Sequence, residues 1–156
     1  VFARKPEKAL EYGIENLERC FDGVPENVTK ISHMCCGYPN ALDSENYLKA
    51  KPSAYFEIAE ALDESILDAI SIEDAHRPND LKLLEIFKKT SIILGFIDVA
   101  KSKLEEVDQI RERIQQCLSH IDHHRLIAAP DCGLGLLNRQ LAIDKMKNLC
   151  TAAHSI

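Results

Sequence analysis

One pattern constrains the fold of this chain more than any other. Short, β-branched apolar stretches alternate with longer segments that repeat apolar residues at helical spacing. Strands are predicted at Val28–Met34, Ala69–Glu73, Ser91–Asp98 and Leu126–Ala129. Helices are predicted over Lys5–Phe21, with Pro6 at the start, and from an N-cap at Ser53 to about Asp63. Three more are predicted over Asn79–Lys89, Glu105–His120 and Gln140–Ala153. Such alternation builds βαβ units and hence a parallel sheet covered on both faces. In folds of this kind the chemistry gathers at the carboxyl ends of the strands.

Composition narrows the partners. With 46% hydrophobic and 28% charged residues, 156 residues suffice for one domain with a real core. Nineteen Lys and Arg against 25 Asp and Glu leave a net charge of −6. That is the opposite of the basic footprint that nucleic acid or an anionic membrane requires. No apolar run approaches the roughly 18 residues of a membrane helix, and the N-terminus has no apolar signal core. A cytoplasmic chain with reduced thiols is therefore expected. Of the six cysteines, Cys20, Cys117 and Cys150 read as small buried apolar residues on helices. Cys35, Cys36 and Cys132 lie instead at strand ends. Gly133-Leu134-Gly135 is too short for a phosphate loop.

The strand ends carry the candidate chemistry. His33 and Cys35 are two apart, so on an extended strand both project from one face. Imidazole and thiolate are zinc ligands, and a carboxylate with a second thiolate would complete a tetrahedron. Glu73 and Cys132, at two further strand ends, can supply them.

The segments His33-Met34-Cys35, Ile70-Ser71-Ile72-Glu73, Asn79-Asp80-Leu81-Lys82-Leu83-Leu84-Glu85 and Ala129-Pro130-Asp131-Cys132-Gly133-Leu134 together resemble the C-terminal part of cobalamin-independent methionine synthase. The likeness runs in order from about Val28 to Ala153. It implies a zinc at the top of a TIM barrel, held by His33, Cys35, Glu73 and Cys132. It also implies transfer of a methyl group to homocysteine or a similar small thiol, from a folate or a methylated corrinoid protein. The ligand set agrees: two thiolates and a carboxylate outweigh Zn²⁺ by about one charge, which suits binding a substrate thiol as its thiolate. A hydrolytic zinc more often has neutral ligands. Two departures stand out. The loop from Cys36 to Pro52 looks longer than in the long enzymes of the family. Asp98-Val99-Ala100 stands where their third strand ends in Asp-x-His, so that proton-transferring His is absent and His76 or water must serve.

Several neighbours have two readings. His76 either faces substrate and carries a proton or makes a structural hydrogen bond. Asp98 holds substrate, orients a ligand or caps its loop. Asp74 and Asp131, each beside a ligand, steady that ligand or contact substrate. Cys36 reads as a packed neighbour pointing away from the face of Cys35, and His120, His123 and His124 as a solvated helix end and turn.

A barrel closes with eight strands and about 250 residues, whereas four strands are predicted here. The expectation is the C-terminal (βα)4 half of a TIM (β/α)8 barrel, residues 1–156 forming one segment without its N-terminal half. Val1-Phe2-Ala3 then reads as a continuation, and the resemblance puts most substrate and folate contacts upstream of it. A lone half exposes two sheet edges and an apolar face, so a homo-oligomer or association with the missing half is expected. The alternative function is a zinc-binding half that is inactive alone, or a related thiol alkyltransferase with a non-folate donor.

Overall fold

The structure, a computed structural model, describes residues 5–156; the Val1-Phe2-Ala3 segment lies outside the described residues. Four parallel strands stand side by side in chain order: β1 (Ile31–Met34), β2 (Ala69–Ile72), β3 (Ser91–Ile97) and β4 (Leu126–Pro130). His33 lies opposite Ser71, and Gly95 opposite Ala129 just before a bulge in β3. The predicted first helix is α1 (Pro6–Lys8), a π turn at Ala9–Gly13 and α2 (Ile14–Arg19). The others are α3 (Ala54–Glu64), α4 (Lys82–Ile86), α5 (Val107–Cys117) and α6 (Arg139–Ala153).

Parallel strands laid down in chain order need crossovers of one hand, which puts the helices on a single face. Met34, Ile70, Ile72, Ile92 and Leu94 are buried against that layer. On the other face Ile31 and Ile127 stay 47% and 46% exposed. The sheet is therefore covered on one face, not on both as predicted. Near-continuous apolar strands read alike whether helices or the inside of a barrel face them.

Element ends moved for traceable reasons. The Asn79 amide donates to Asp74 Oδ1 (2.7 Å) and Asp80 Oδ1 accepts from Lys82 N–H (3.0 Å), so α4 starts at Lys82. It stops at Ile86 because Asp63 captures the N–H groups of Lys88, Lys89 and Thr90. Ser53 occupies the N-cap position of α3 but makes no capping bond; its hydroxyl donates to Glu57. Cys117 is buried as expected, whereas Cys20 and Cys150 are exposed, since each faces outward from its helix end. Among the described residues no helix is long and apolar enough to cross a membrane.

Candidate metal centre

Several side chains tie the carboxyl ends of β1 and β2 together. Tyr55, buried on α3, donates its hydroxyl to Met34 O (2.6 Å) and accepts from Glu73 N–H (3.3 Å). Beside it, His33 Nδ1 shares a hydrogen bond with Ser71 Oγ (2.9 Å), which leaves Nε2 turned toward Glu73 Oε1, 3.9 Å away. Cys36 N–H donates to Glu73 Oε2 at 3.0 Å. Gly37 then turns the chain at φ +148°, a region that favours glycine, while Ala50 N–H returns to Cys36 O (2.7 Å).

Cys132 arrives on the loop after β4. That loop lies so close to β3 that a Cβ on Gly95 would stand 2.7 Å from Asp131 Cα. Tyr38 from the long loop donates to Gly133 O (2.7 Å) and ties the same segment down. Ligand atoms of His33, Cys35, Glu73 and Cys132 then lie within 4.8 Å of one another.

This donor set suits a soft divalent cation. Burial first, then the Glu73 carboxylate, pushes the Cys35 thiol up to about 12, and Cys132 adds to the effect. Burial and Glu73 push Cys36 to about 12 as well. Burial, then the charges of Asp98 and Glu73, lift the Tyr47 phenol to about 12. Among the described residues Glu73 pairs with no Lys or Arg; its ion-pair neighbours are His33 and His76. A pocket of thiols around a carboxylate that, among the described residues, pairs with no Lys or Arg is what a bound metal would balance, although the Arg77 charge reaches Cys36.

The other candidates divide. Asp131 is buried and accepts from the N–H groups of Asp74, Ala75 and His76 at 2.8–2.9 Å, while its Oδ2 also meets His76 Nδ1 at 2.8 Å. His76 Nε2 consequently points at Glu73 Oε2 (3.8 Å) and Cys36 Sγ (3.5 Å). Cys36 is packed as expected, yet its thiol does not leave the site: it donates to Glu73 Oε2 at 2.5 Å. Asp74 turns the other way, onto Arg113 and Asn79. Asp98 Oδ1 accepts from Ala100 N–H (2.8 Å), a loop cap. His120 pairs with Glu85 at the surface, and Asp122, His123 and His124 form an exposed cluster.

Sequence reading missed Tyr55, Ser71 as the partner of His33, Tyr47, Arg113 and Lys145. Lys145 is fully buried, and its ammonium donates to Asp98 O, Lys103 O and both Glu105 oxygens at 2.6–3.0 Å. It fixes the loop that leaves β3. A signal existed for both cations: Lys145 shares a stripe with Leu149 and Ala152, and Arg113 lies between Ile110 and Ile114. A lone cation on an apolar helix face has a buried partner to meet.

The chain resembles known proteins in sequence and in fold. A methionine synthase of Pyrococcus furiosus is 29% identical, covering 67% of this chain and 31% of the relative. The 2-hydroxypropyl-CoM lyase of Xanthobacter autotrophicus is 29% identical over 89% of this chain and 43% of its own length. The solved structure of a B12-independent methionine synthase from a Shewanella species, in complex with selenomethionine, superposes with a TM-score of 0.84 at 24% identity. It covers 99% of this chain and 45% of that one. The chain thus spans less than half the length of these relatives, and its four βα units correspond to half of a (β/α)8 barrel. Residues 51–155, a stretch holding Glu73, His76, Asp98, Asp131 and Cys132, match the family described as cobalamin-independent synthase, catalytic domain, and the chain belongs to that family.

Proposed function

We propose that this chain is the metal-holding part of a zinc-dependent S-methyltransferase acting on homocysteine or a similar small thiol. The observation that carries this reading is the convergence of His33, Cys35, Glu73 and Cys132 from three strand ends. Zinc held there would favour the thiolate of a substrate thiol and so prepare it to attack a methyl carbon. The chain's own residues prepare the site. Ser71 orients His33, and Cys36 N–H with Tyr55 orients Glu73. His76, steadied on Asp131, is placed to pass a proton to the departing donor, the role left open at Asp98-Val99-Ala100. Asp98 shapes the loop beside it. The donor is a folate or a methylated corrinoid protein, and a cytoplasmic setting suits the reduced thiols.

The exposed Ile31 and Ile127 support association with a second (βα)4 unit, either another copy or an N-terminal half. Similarity to an enzyme named for coenzyme M favours a second reading, alkyl transfer to a different thiol from a non-folate donor. In a third the chain holds zinc but is inactive alone.

The test is metal analysis of the reduced chain, alone and as Cys132→Ser, with an assay for methionine formed from homocysteine and methylfolate. Stoichiometric zinc that falls in Cys132→Ser is expected. Absence of zinc, together with no effect of the substitution, overturns the proposal. Zinc without turnover assigns the binding-only reading. Light scattering should show an assembly, and a stable 17.5 kDa monomer contradicts the association.

A further inference from the structure

We propose that Cys36, Glu73 and His76 form a second, weaker metal site, back to back with the first and sharing the Glu73 carboxylate. The two oxygens of Glu73 face different groups. Oε1 looks to His33 Nε2, whereas Oε2 meets Cys36 Sγ at 2.5 Å and His76 Nε2 at 3.8 Å. Cys36 Sγ and His76 Nε2 are 3.5 Å apart, and ligand atoms of all three residues lie within 4.8 Å of one another. Bonds of about 2.0–2.3 Å to a tetrahedral zinc-sized ion put neighbouring donors roughly 3.3–3.8 Å apart. The two distances that involve His76 already meet that requirement. Only the Cys36–Glu73 contact, a hydrogen bond, must open.

Three further observations point to a ligand site. His76 is presented as metal-bound histidines usually are, its Nδ1 on the Asp131 carboxylate (2.8 Å) and its Nε2 turned to the other two donors, Cys36 Sγ and Glu73 Oε2. Cys35 and Cys36 are consecutive, yet they fall in different donor groups, Cys35 with His33 and Cys132 and Cys36 with His76, and only Glu73 belongs to both. Cys36 and Glu73 are 1% and 2% exposed, which keeps water from competing for them. The chemistry is that of a thiophilic divalent ion such as zinc, cobalt or cadmium. On binding, a metal–sulfur bond forms and the Cys36 S–H proton passes to buffer. With both sites filled, three thiolates and the shared carboxylate balance two divalent cations. The consequence rests on the proposed function: an ion here takes Nε2 of His76, so excess metal would inhibit proton transfer.

The experiment titrates the reduced, chelator-stripped full chain with Co²⁺. It reads thiolate-to-cobalt absorption and the metal retained after gel filtration. Two equivalents are expected, the second bound at least tenfold more weakly. Cys36→Ala and Cys36→Ser should each lose the second equivalent, Cys132→Ser should keep a Cys36-dependent one, and Glu73→Gln should weaken both. Circular dichroism checks folding, and if the Cys36 variants do not fold, His76→Gln must lose the second equivalent in their place. A single equivalent in the unsubstituted chain, or two in the Cys36 variants, overturns the site. Loss in Cys132→Ser with none in the Cys36 variants rejects this site and retains the proposed function; the reverse retains this site and rejects the function.

Discussion

Glu73 and Asp74 follow one another at the end of β2, both buried, and their surroundings differ in a way that separates a structural carboxylate from a candidate ligand. Asp74 is closed by its own chain. Its Oδ1 accepts from Asn79 N–H (2.7 Å), Asn79 Nδ2 (3.0 Å) and Arg113 Nη2 (3.0 Å), and its Oδ2 from Arg113 Nε (2.8 Å). Among the described residues Glu73 pairs with no such cation. Its Oε2 is held by Cys36, the Cys35 thiol also bears on the carboxylate, and His33 stands 3.9 Å from Oε1, too far for a hydrogen bond. Counting partners around a buried carboxylate thus shows which one has room for a metal.

Substitutions should break the pair apart in opposite directions. Glu73→Gln keeps an acceptor for Cys36 N–H but removes the anion, and should lower zinc affinity about 1,000-fold, or about 4 kcal/mol. The metal-free chain should keep its stability within about 1 kcal/mol. Competition with a chelating dye and urea unfolding measure both. Arg113→Leu should do the reverse. It strands the Asp74 charge and should cost about 3 kcal/mol of stability in urea. Zinc affinity should change less than tenfold.

A smaller, pH-dependent effect belongs to Asp63, at the opposite end of the sheet. Burial alone would raise its carboxyl, but N–H groups of Lys88, Thr90 and Lys89 hold it below the usual aspartate value. A depressed carboxyl stabilises the fold above its unfolded value, roughly pH 4, and the contribution fades as pH falls through the folded value. Asp63→Asn should therefore lower the melting temperature at neutral pH. The gap to the unsubstituted chain should narrow under acid, and a gap that widens there contradicts the assignment.

What could be read in advance follows from range. The strands and His33, Cys35, Glu73 and Cys132 were legible because a period of two and strand-end placement are local features. The shortening of α4 was not, since it depends on Asp63 and Asp74 reaching across from other elements. Tyr55 was hidden within an ordinary amphipathic helix, although its hydroxyl joins Met34 to Glu73. Cys36 shows the limit most clearly. Alternation reads its side chain as pointing away from the site of Cys35, whereas both thiols bear on the one Glu73 carboxylate, a contact between strands that a local pattern does not carry.

The central claim is that the ends of β1, β2 and β4 hold a zinc ion that accepts a substrate thiol. X-ray absorption at the zinc edge, on the reduced chain loaded with one equivalent, tests it most directly. The account predicts two sulfur neighbours at about 2.3 Å with two nitrogen or oxygen neighbours, and a third sulfur when homocysteine is added. A shell without sulfur, or one unchanged by homocysteine, would contradict it.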